Sequence, residues 1–260
     1  MRVVVTRPLQ DAAPWVAALS ARGHEAVALP LIDICDVADA EAKTALAQAW
    51  AALAAGHFSA VMFSSGNAVE RFFASRPPAA QWPAGTRAWS PGPGTAEALG
   101  AHGVAAAQVD APAAGAAQFD SEHLWQVVAP QIRAGSHVLC VRGGDAQGRA
   151  AGREWLAAQV REAGAGWEDV VAYRRLRPQW DAPACAQARA LAGPGTTWLF
   201  SSSEAIANLQ ALVPGQSWRG SRAIATHPRI AQAAGDAGFS PVLLSQPALS
   251  AVLASIESPQ

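Results

Sequence analysis

Lysine is almost missing from this chain of 260 residues: Lys43 stands alone, and positive charge otherwise rests on arginine. Arginine's planar fork suits bidentate contacts with carboxylate or phosphate where it clusters, although a compositional bias toward Ala, Arg, Gly and Trp gives the same excess. Charge of either sign is sparse and the net charge is −1. That excludes a general nucleic-acid binder and leaves any anion recognition to local groups. Cysteine is scarce as well: Cys35, Cys140 and Cys185 are widely spaced and form no C-x-x-C pair. Neither a disulfide framework nor a structural zinc site fits them. Long apolar runs are absent, because Thr6, Arg7 and Pro8 interrupt the N-terminal valines, and the Ala-rich stretch from Thr44 to Gly56 is too short for a bilayer. A cytoplasmic protein with no membrane partner is expected. There is no G-x-x-x-x-G-K-[ST], no G-x-G-x-x-G after a strand, and no H-E-x-x-H or close acidic pair that suggests a metal, so neither cofactor nor metal is expected.

What is present is largely apolar, 51% of the residues, and the length suits two domains that each bury a core. Arg2 to Thr6 reads as a β-branched strand, Trp15, Val16 and Leu19 recur at helical spacing up to Gly23, and Glu25 to Ile34 reads as the next strand. Asp33 to Lys43 turns polar, a linker or the lead into the helix that ends at Gly56. Phe58 to Phe63 is a strand running into Ser64-Ser65-Gly66-Asn67 and a helix. Thr86 to Ser90 is a strand followed by the turn Pro91 to Thr95 and a helix to Gly100, and Asp110 to Gln118 reads as a loop. The second half shows the same grammar, with strands at His137 to Val141, from Gly166, at Thr197 to Phe200, at Arg222 to Ala225 and at Val242 to Leu244.

The halves also repeat residue by residue. Val3 to Arg7 echoes Val138 to Arg142, Phe63-Ser64-Ser65 echoes Phe200-Ser201-Ser202, and Arg87 to Gly103 aligns without a gap to Arg222 to Gly238. All three pairs lie about 135 residues apart, so one α/β unit occurs twice. Strands separated by helices imply a doubly wound parallel sheet of flavodoxin-like type in each lobe. Two arrangements fit: tandem lobes joined near residue 115, or swapped lobes with crossings near 35 and 177. The corresponding polar or proline-bearing exits, Leu29 to Val37 and Tyr173 to Pro183, favour the swapped form. Gly166 to Gln179 carries the chain's single tyrosine beside three arginines, groups that are costly to bury unpaired.

In an open parallel sheet, ligands sit beyond the carboxyl ends of the strands, where helix starts present N–H groups. Those tips hold Arg7, Ser64, Ser65, Asn67, Thr95, Arg142, Ser202, Ser203 and His227, all small, polar or basic. They suit an anionic ligand with several acidic groups. Serines and threonines there also serve as helix caps contributing about 1 kcal/mol each. His227 follows a strand and opens a helix, whose positive end disfavours a charged imidazole; the corresponding residue of the first copy is Gly92.

VVVTRP with LPLI downstream, FSSGNAV, GPGTAEAL, VRGG with GREWL, VVAYRR, FSSSEAI and ATHPRIA, in this order over nearly the whole chain, resemble uroporphyrinogen-III synthases of tetrapyrrole biosynthesis. The resemblance implies two flavodoxin-like lobes joined by a two-stranded crossing. One comprises residues 1–35 with 176–260, the other is the inserted 36–175, and the active-site cleft lies between them. It implies a cytoplasmic monomer without cofactor or metal, a lyase that cyclises hydroxymethylbilane, a linear tetrapyrrole, to uroporphyrinogen III with inversion of ring D and loss of water. Substrate would come from the preceding enzyme of haem or porphyrin biosynthesis. By the same resemblance Tyr173 is the proton donor to the leaving hydroxyl, a role suited to a phenol, which keeps its proton at neutral pH. Thr95 is a cleft threonine, and Arg7, Ser64, Ser65, Asn67, Arg142, Ser202 and Ser203 are helix-end donors or carboxylate partners; His227, from its place at a helix start, is expected to join them as a substrate contact. The insert from Asp145 to Ala151 leaves Arg149 or Arg153 as the second arginine. The competing class is a non-catalytic two-lobed binding protein that closes on a small polyanion.

Overall fold

The computed structural model describes residues 1–113, 115, 116, 118–152 and 154–257. In chain order they form β1 (Arg2–Val5), α1 (Leu9–Ala21), β2 (Glu25–Ala28), β3 (Asp33–Asp36), α2 (Ala40–Ala54), β4 (Ala60–Phe63), α3 (Gly66–Ala74), β5 (Arg87–Trp89), α4 (Pro93–Ala101) and β6 (Val109–Asp110). There follow α5 (Ser121–Val128), β7 (His137–Gly144), α6 (Trp155–Glu162), β8 (Gly166–Leu176), α7 (Ala182–Ala190), β9 (Thr196–Phe200), α8 (Ser203–Leu212), β10 (Arg222–Ala225), α9 (Pro228–Asp236), β11 (Val242–Leu244) and α10 (Leu249–Glu257). No helix among the described residues is long and apolar enough to cross a membrane.

The chain divides into two compact units, Met1–Asp33 with Leu176–Gln260, and Ile34–Arg175. The first holds a five-stranded sheet in the order β11-β10-β9-β1-β2, and the second a six-stranded sheet in the order β3-β8-β7-β4-β5-β6. β1 runs parallel to both β2 and β9, with Val4 opposite Val27 and Trp198. β4 runs parallel to β5 and β7, with Met62 opposite Trp89 and Cys140. Each sheet therefore takes strands from both copies of the repeat, in the doubly wound order of flavodoxin-like proteins. The passages between units fall inside β3 and β8, which are neighbours in the second sheet.

Burial explains why these segments are strands. Val3, Val4 and Val5 are fully buried, as a central parallel strand covered on both faces requires. Each valine so buried contributes about 1.5–3 kcal/mol relative to exposure. Helices are fixed at their starts by side-chain caps. Asp39 accepts the Ala42 N–H at 2.7 Å, Ser65 the Ala68 N–H at 3.2 Å and Asp181 the Ala184 N–H at 2.9 Å. Tryptophan is core material: Trp50 stacks on Phe72 with ring centroids 4.5 Å apart and donates its indole N–H to Phe72 O. Trp198, Phe200, Trp218 and Phe239 form a second aromatic cluster in the first unit.

The structure departs from the sequence reading in three places. The strand expected from Glu25 to Ile34 ends at Ala28, and a separate strand, β3, begins at Asp33. Leu29 and Leu31 N–H groups still bond Val5 O and Thr6 O, but Pro30 between them has no N–H to give. The expected linker from Asp33 therefore starts as an edge strand, too polar and too short to show a period. α5 and α7 stand where periodicity assigns no element; each is announced only by its capping aspartate, Asp120 or Asp181. Finally, the exit expected from Tyr173 to Pro183 begins as strand, because β8 carries Tyr173, Arg174 and Arg175 on to Leu176.

Candidate active site at the carboxyl ends of the strands

In the second unit the site is built around Tyr173. β7 and β8 pair in parallel from His137↔Gly166 to Arg142↔Val171, and a bulge then brings Gly143 opposite Tyr173. The ring lies directly on Gly143: a Cβ added there would stand 2.6 Å from Cζ, 2.8 Å from Cε2 and 2.9 Å from the phenolic oxygen. Only glycine admits that approach. The phenol, in a residue 4% exposed, shares a hydrogen bond of 3.0 Å with Ser65 Oγ. Ser65 is the N-cap of α3, so its oxygen already accepts the Ala68 N–H. Either hydroxyl can donate in the bond between them; with Ser65 as the donor, the phenol's own proton is left for a ligand. Three elements thus hold one hydroxyl: the β8 backbone, the missing side chain of Gly143, and the start of α3.

The starts of α3 and α4 are neighbours. A Cβ on Gly66 would lie 3.8 Å from Gly94 O and 3.9 Å from Ala98 Cβ. Asn67 is half-buried in the first turn of α3, and Thr95 is buried in that of α4. Ser64, between β4 and the cap, is exposed, with its N–H bonded to Val141 O. Side-by-side helix starts concentrate N–H donors and positive potential near Ser65.

Arg142 is placed differently from a surface carboxylate receptor. It is 4% exposed, with Nε donating to Ala151 O (3.1 Å) and Nη1 to both Glu154 Oε1 and Asp169 Oδ1 (3.0 Å each). Burial works against its charge, but the neighbouring Cys140 sulfur and then the carboxylates of Asp169 and Glu154 together more than offset it, and the pKa lies above the ordinary arginine value. The same burial drives the thiol of Cys140 far up, with Asp169 adding to the effect, so it is neutral and inert. Arg142 accordingly ties the strand end beside Gly143 to Ala151 and Glu154. Arg149 pairs with Asp145 across an exposed turn, with Nη2 2.8 Å from Oδ2. Arg153 lies outside the described residues.

In the first unit the corresponding tips carry Arg7, Ser202, Ser203 and His227. The Arg7 guanidinium sits 4.4 Å over the Trp15 ring, a cation–π contact. Burial lowers its pKa from the ordinary value and Asp11 partly restores it. Arg7 and Trp15 border a small pocket of about 10 Å³ with Leu199, Ser201 and Thr226, room for about one water. Ser202 caps α8, its oxygen accepting the Glu204 N–H at 3.2 Å, and Ser203 opens the helix in an exposed position. His227 caps α9, with Nδ1 accepting the Arg229 N–H at 3.1 Å, so the neutral ring carries its proton on Nε2.

The expected site residues thus fall into one group per unit, and the direct contact described among them is that of Tyr173 with Ser65. Sequence reasoning missed Gly143 as the seat of the tyrosine, and Asp169 with Glu154 as the counter-charges of Arg142. The doubled glycine after Arg142 and the acidic pair in GWEDVV were the available signals.

Two doubly wound parallel sheets, one in each unit and each with polar and basic groups at its strand tips, define a two-lobed α/β protein of flavodoxin-like type. The family profile described as uroporphyrinogen-III synthase HemD matches residues 13–254. The chain belongs to the uroporphyrinogen-III synthase family, enzymes of haem biosynthesis. It is similar in fold to the uroporphyrinogen-III synthetase of Helicobacter pylori, with a TM-score of 0.61 and 17% identity, covering 98% of each chain. It is also similar to a mutant uroporphyrinogen III synthase of Thermus thermophilus, with a TM-score of 0.56 and 16% identity, covering 99% of this chain and 97% of that one. Comparison with curated protein sequences returns no match.

Proposed function

We propose that the chain is a cyclising lyase that converts hydroxymethylbilane to uroporphyrinogen III, and that Tyr173 is its proton donor. The observation that supports this reading most is the phenol held between Gly143 and Ser65 at the carboxyl end of β8. Tyr173 protonates the terminal hydroxyl, the carbon–oxygen bond breaks, and water leaves an azafulvenium stabilised by the pyrrole nitrogen. The substituted α-carbon of ring D attacks that centre to give a spiro intermediate, which fragments and recloses with ring D inverted; loss of a proton restores the pyrrole. The substrate's own pyrroles supply the electron push, so the protein's share is orientation and one proton.

Its carboxylates would be met by Arg7 and by the donors at the starts of α3, α4, α8 and α9, where Ser64, Asn67, Thr95, Ser202, Ser203 and His227 stand. Arg142 enters as a positioning residue, since its guanidinium is committed to Asp169 and Glu154. The enzyme is read as a cytoplasmic monomer receiving the bilane from the enzyme that makes it. Enzymatically generated hydroxymethylbilane tests the reaction: uroporphyrin III after oxidation is the expected product, and isomer I unchanged from the spontaneous reaction rejects it. Tyr173→Phe should keep the fold and lose most activity; wild-type turnover in the folded variant rejects the role given to the phenol.

A further inference from the structure

The opposite edge of the second sheet, at the amino ends of its strands, carries a cluster that the proposed reaction does not use. His57 lies between α2 and β4, His137 is the first residue of β7, and Glu168 is near the start of β8. Each offers one ligand atom, and these atoms all lie within 4.8 Å of one another. Local structure explains the convergence. Gly56 takes a left-handed conformation (φ +76°) at the end of α2, and the His57 N–H then bonds back to Ala52 O at 3.0 Å. The His137 carbonyl accepts from both Ser59 N–H (2.9 Å) and Ser59 Oγ (3.0 Å), which ties the start of β7 to the segment carrying His57. His137 faces Gly166 in register, and Glu168, two residues on, projects to the same face as position 166. Gly166 leaves the room: a Cβ there would stand 2.6 Å from His137 Nδ1. The two imidazoles are 4.7 Å apart between centroids, and His57 Nε2 is 3.5 Å from Glu168 Oε1.

We infer that His57, His137 and Glu168 bind one divalent transition-metal ion of the zinc class. Two imidazoles and a carboxylate suit zinc, nickel or copper over magnesium or calcium, which prefer all-oxygen sets. Tetrahedral bonds of about 2.0–2.1 Å place ligand atoms roughly 3.3 Å apart. The His57–Glu168 pair is already near that spacing, and the wider separations close by small rotations of side chains that are 47% (His57) and 55% (Glu168) exposed. Both histidines border a cavity of about 420 Å³ together with Ser59, Thr86 and Ser136, which leaves space beside them for water or a small ligand. An ion there clamps the first residues of β7 and β8 to the end of α2.

The test uses full-length, tag-free protein, with zinc chloride titrated calorimetrically and bound zinc counted after dialysis. One zinc per chain, saturating at micromolar metal, is expected. Affinity should fall at least about tenfold in His57→Ala and in His137→Ala, since loss of even an outer partner of a metal ligand has that effect. It should be unchanged in His102→Gln, which removes the histidine of a different surface pair with Glu70. If a variant fails to fold, zinc-edge anomalous scattering from wild-type crystals decides, with a peak bonded to both His57 and His137 expected. Binding that survives both alanine substitutions, a peak elsewhere, or no binding at millimolar zinc overturns the inference.

Discussion

Gly143→Ala tests the site geometry without removing any chemical group from it. The added methyl would start 2.6 Å from Tyr173 Cζ, whereas ordinary contact begins at 3.4 Å, so the ring has to move by about 0.8 Å or the β7–β8 bulge has to open. Either response breaks the 3.0 Å bond to Ser65 Oγ. Overpacking of this kind costs about 1–3 kcal/mol, tolerable for a domain of ordinary stability. Displacing a catalytic group by about 1 Å costs on the order of a hundredfold in rate. The variant should therefore fold, with a lowered melting temperature, and convert hydroxymethylbilane roughly a hundredfold more slowly, with the fall in kcat rather than in KM. In a Tyr173→Phe background the same substitution should cost little further activity, because both changes act on one hydroxyl. Wild-type kcat in Gly143→Ala, or a full hundredfold loss added to that of Tyr173→Phe, would refute the role of Gly143 as the seat of the phenol.

Asp169→Asn should destabilise the protein by roughly 3 kcal/mol, since it removes a carboxylate charge 3.0 Å from the buried Arg142 guanidinium; the urea midpoint measures it. Asp39 titrates below the ordinary aspartate value, chiefly because the Ala42 N–H bonds its carboxylate, with Arg174 and Lys43 adding to the effect. A pKa lowered by folding gives stability that is complete above the unfolded-state pKa and lost as pH falls through the folded-state one. The difference in urea midpoint between wild type and Asp39→Ala should thus be full at pH 7 and close only below the usual carboxylate range; a difference independent of pH contradicts the ionised cap.

Much of the fold was legible because its causes are local and repeated. Apolar runs such as Val3 to Val5 and Phe58 to Phe63, each followed by small polar residues, mark buried strands feeding helix starts, and the second copy shows them again. β3 escaped because Asp33-Ile34-Cys35-Asp36 pairs only at a sheet edge, where nothing demands an apolar face. Within the site, Tyr173 stood out as the one phenol and Ser65 as a helix-start serine, but the contact between them depends on the bulge at Arg142/Gly143, which no spacing announces. Arg142 reads in the sequence as a strand-tip cation; its burial follows from Asp169 and Glu154, 27 and 12 residues away. His57, His137 and Glu168 were invisible as a group for the same reason: they meet only once three strand starts are aligned.

The exchange of strands between the two copies bears on how the chain can be cut. Severed between β6 and β7, it yields an amino-terminal piece holding β1 to β6 and a carboxyl-terminal piece holding β7 to β11, and neither contains a complete sheet. β1 lacks β9 in the one, and β7 lacks β4 in the other, so each fragment presents unpaired central strands. The two pieces are obligate complements, with the connectivity of a dimer whose subunits have traded their first strands. Mixed together they should rebuild both sheets without a covalent link, so this enzyme is in principle splittable into two chains that are inert apart and active as a pair.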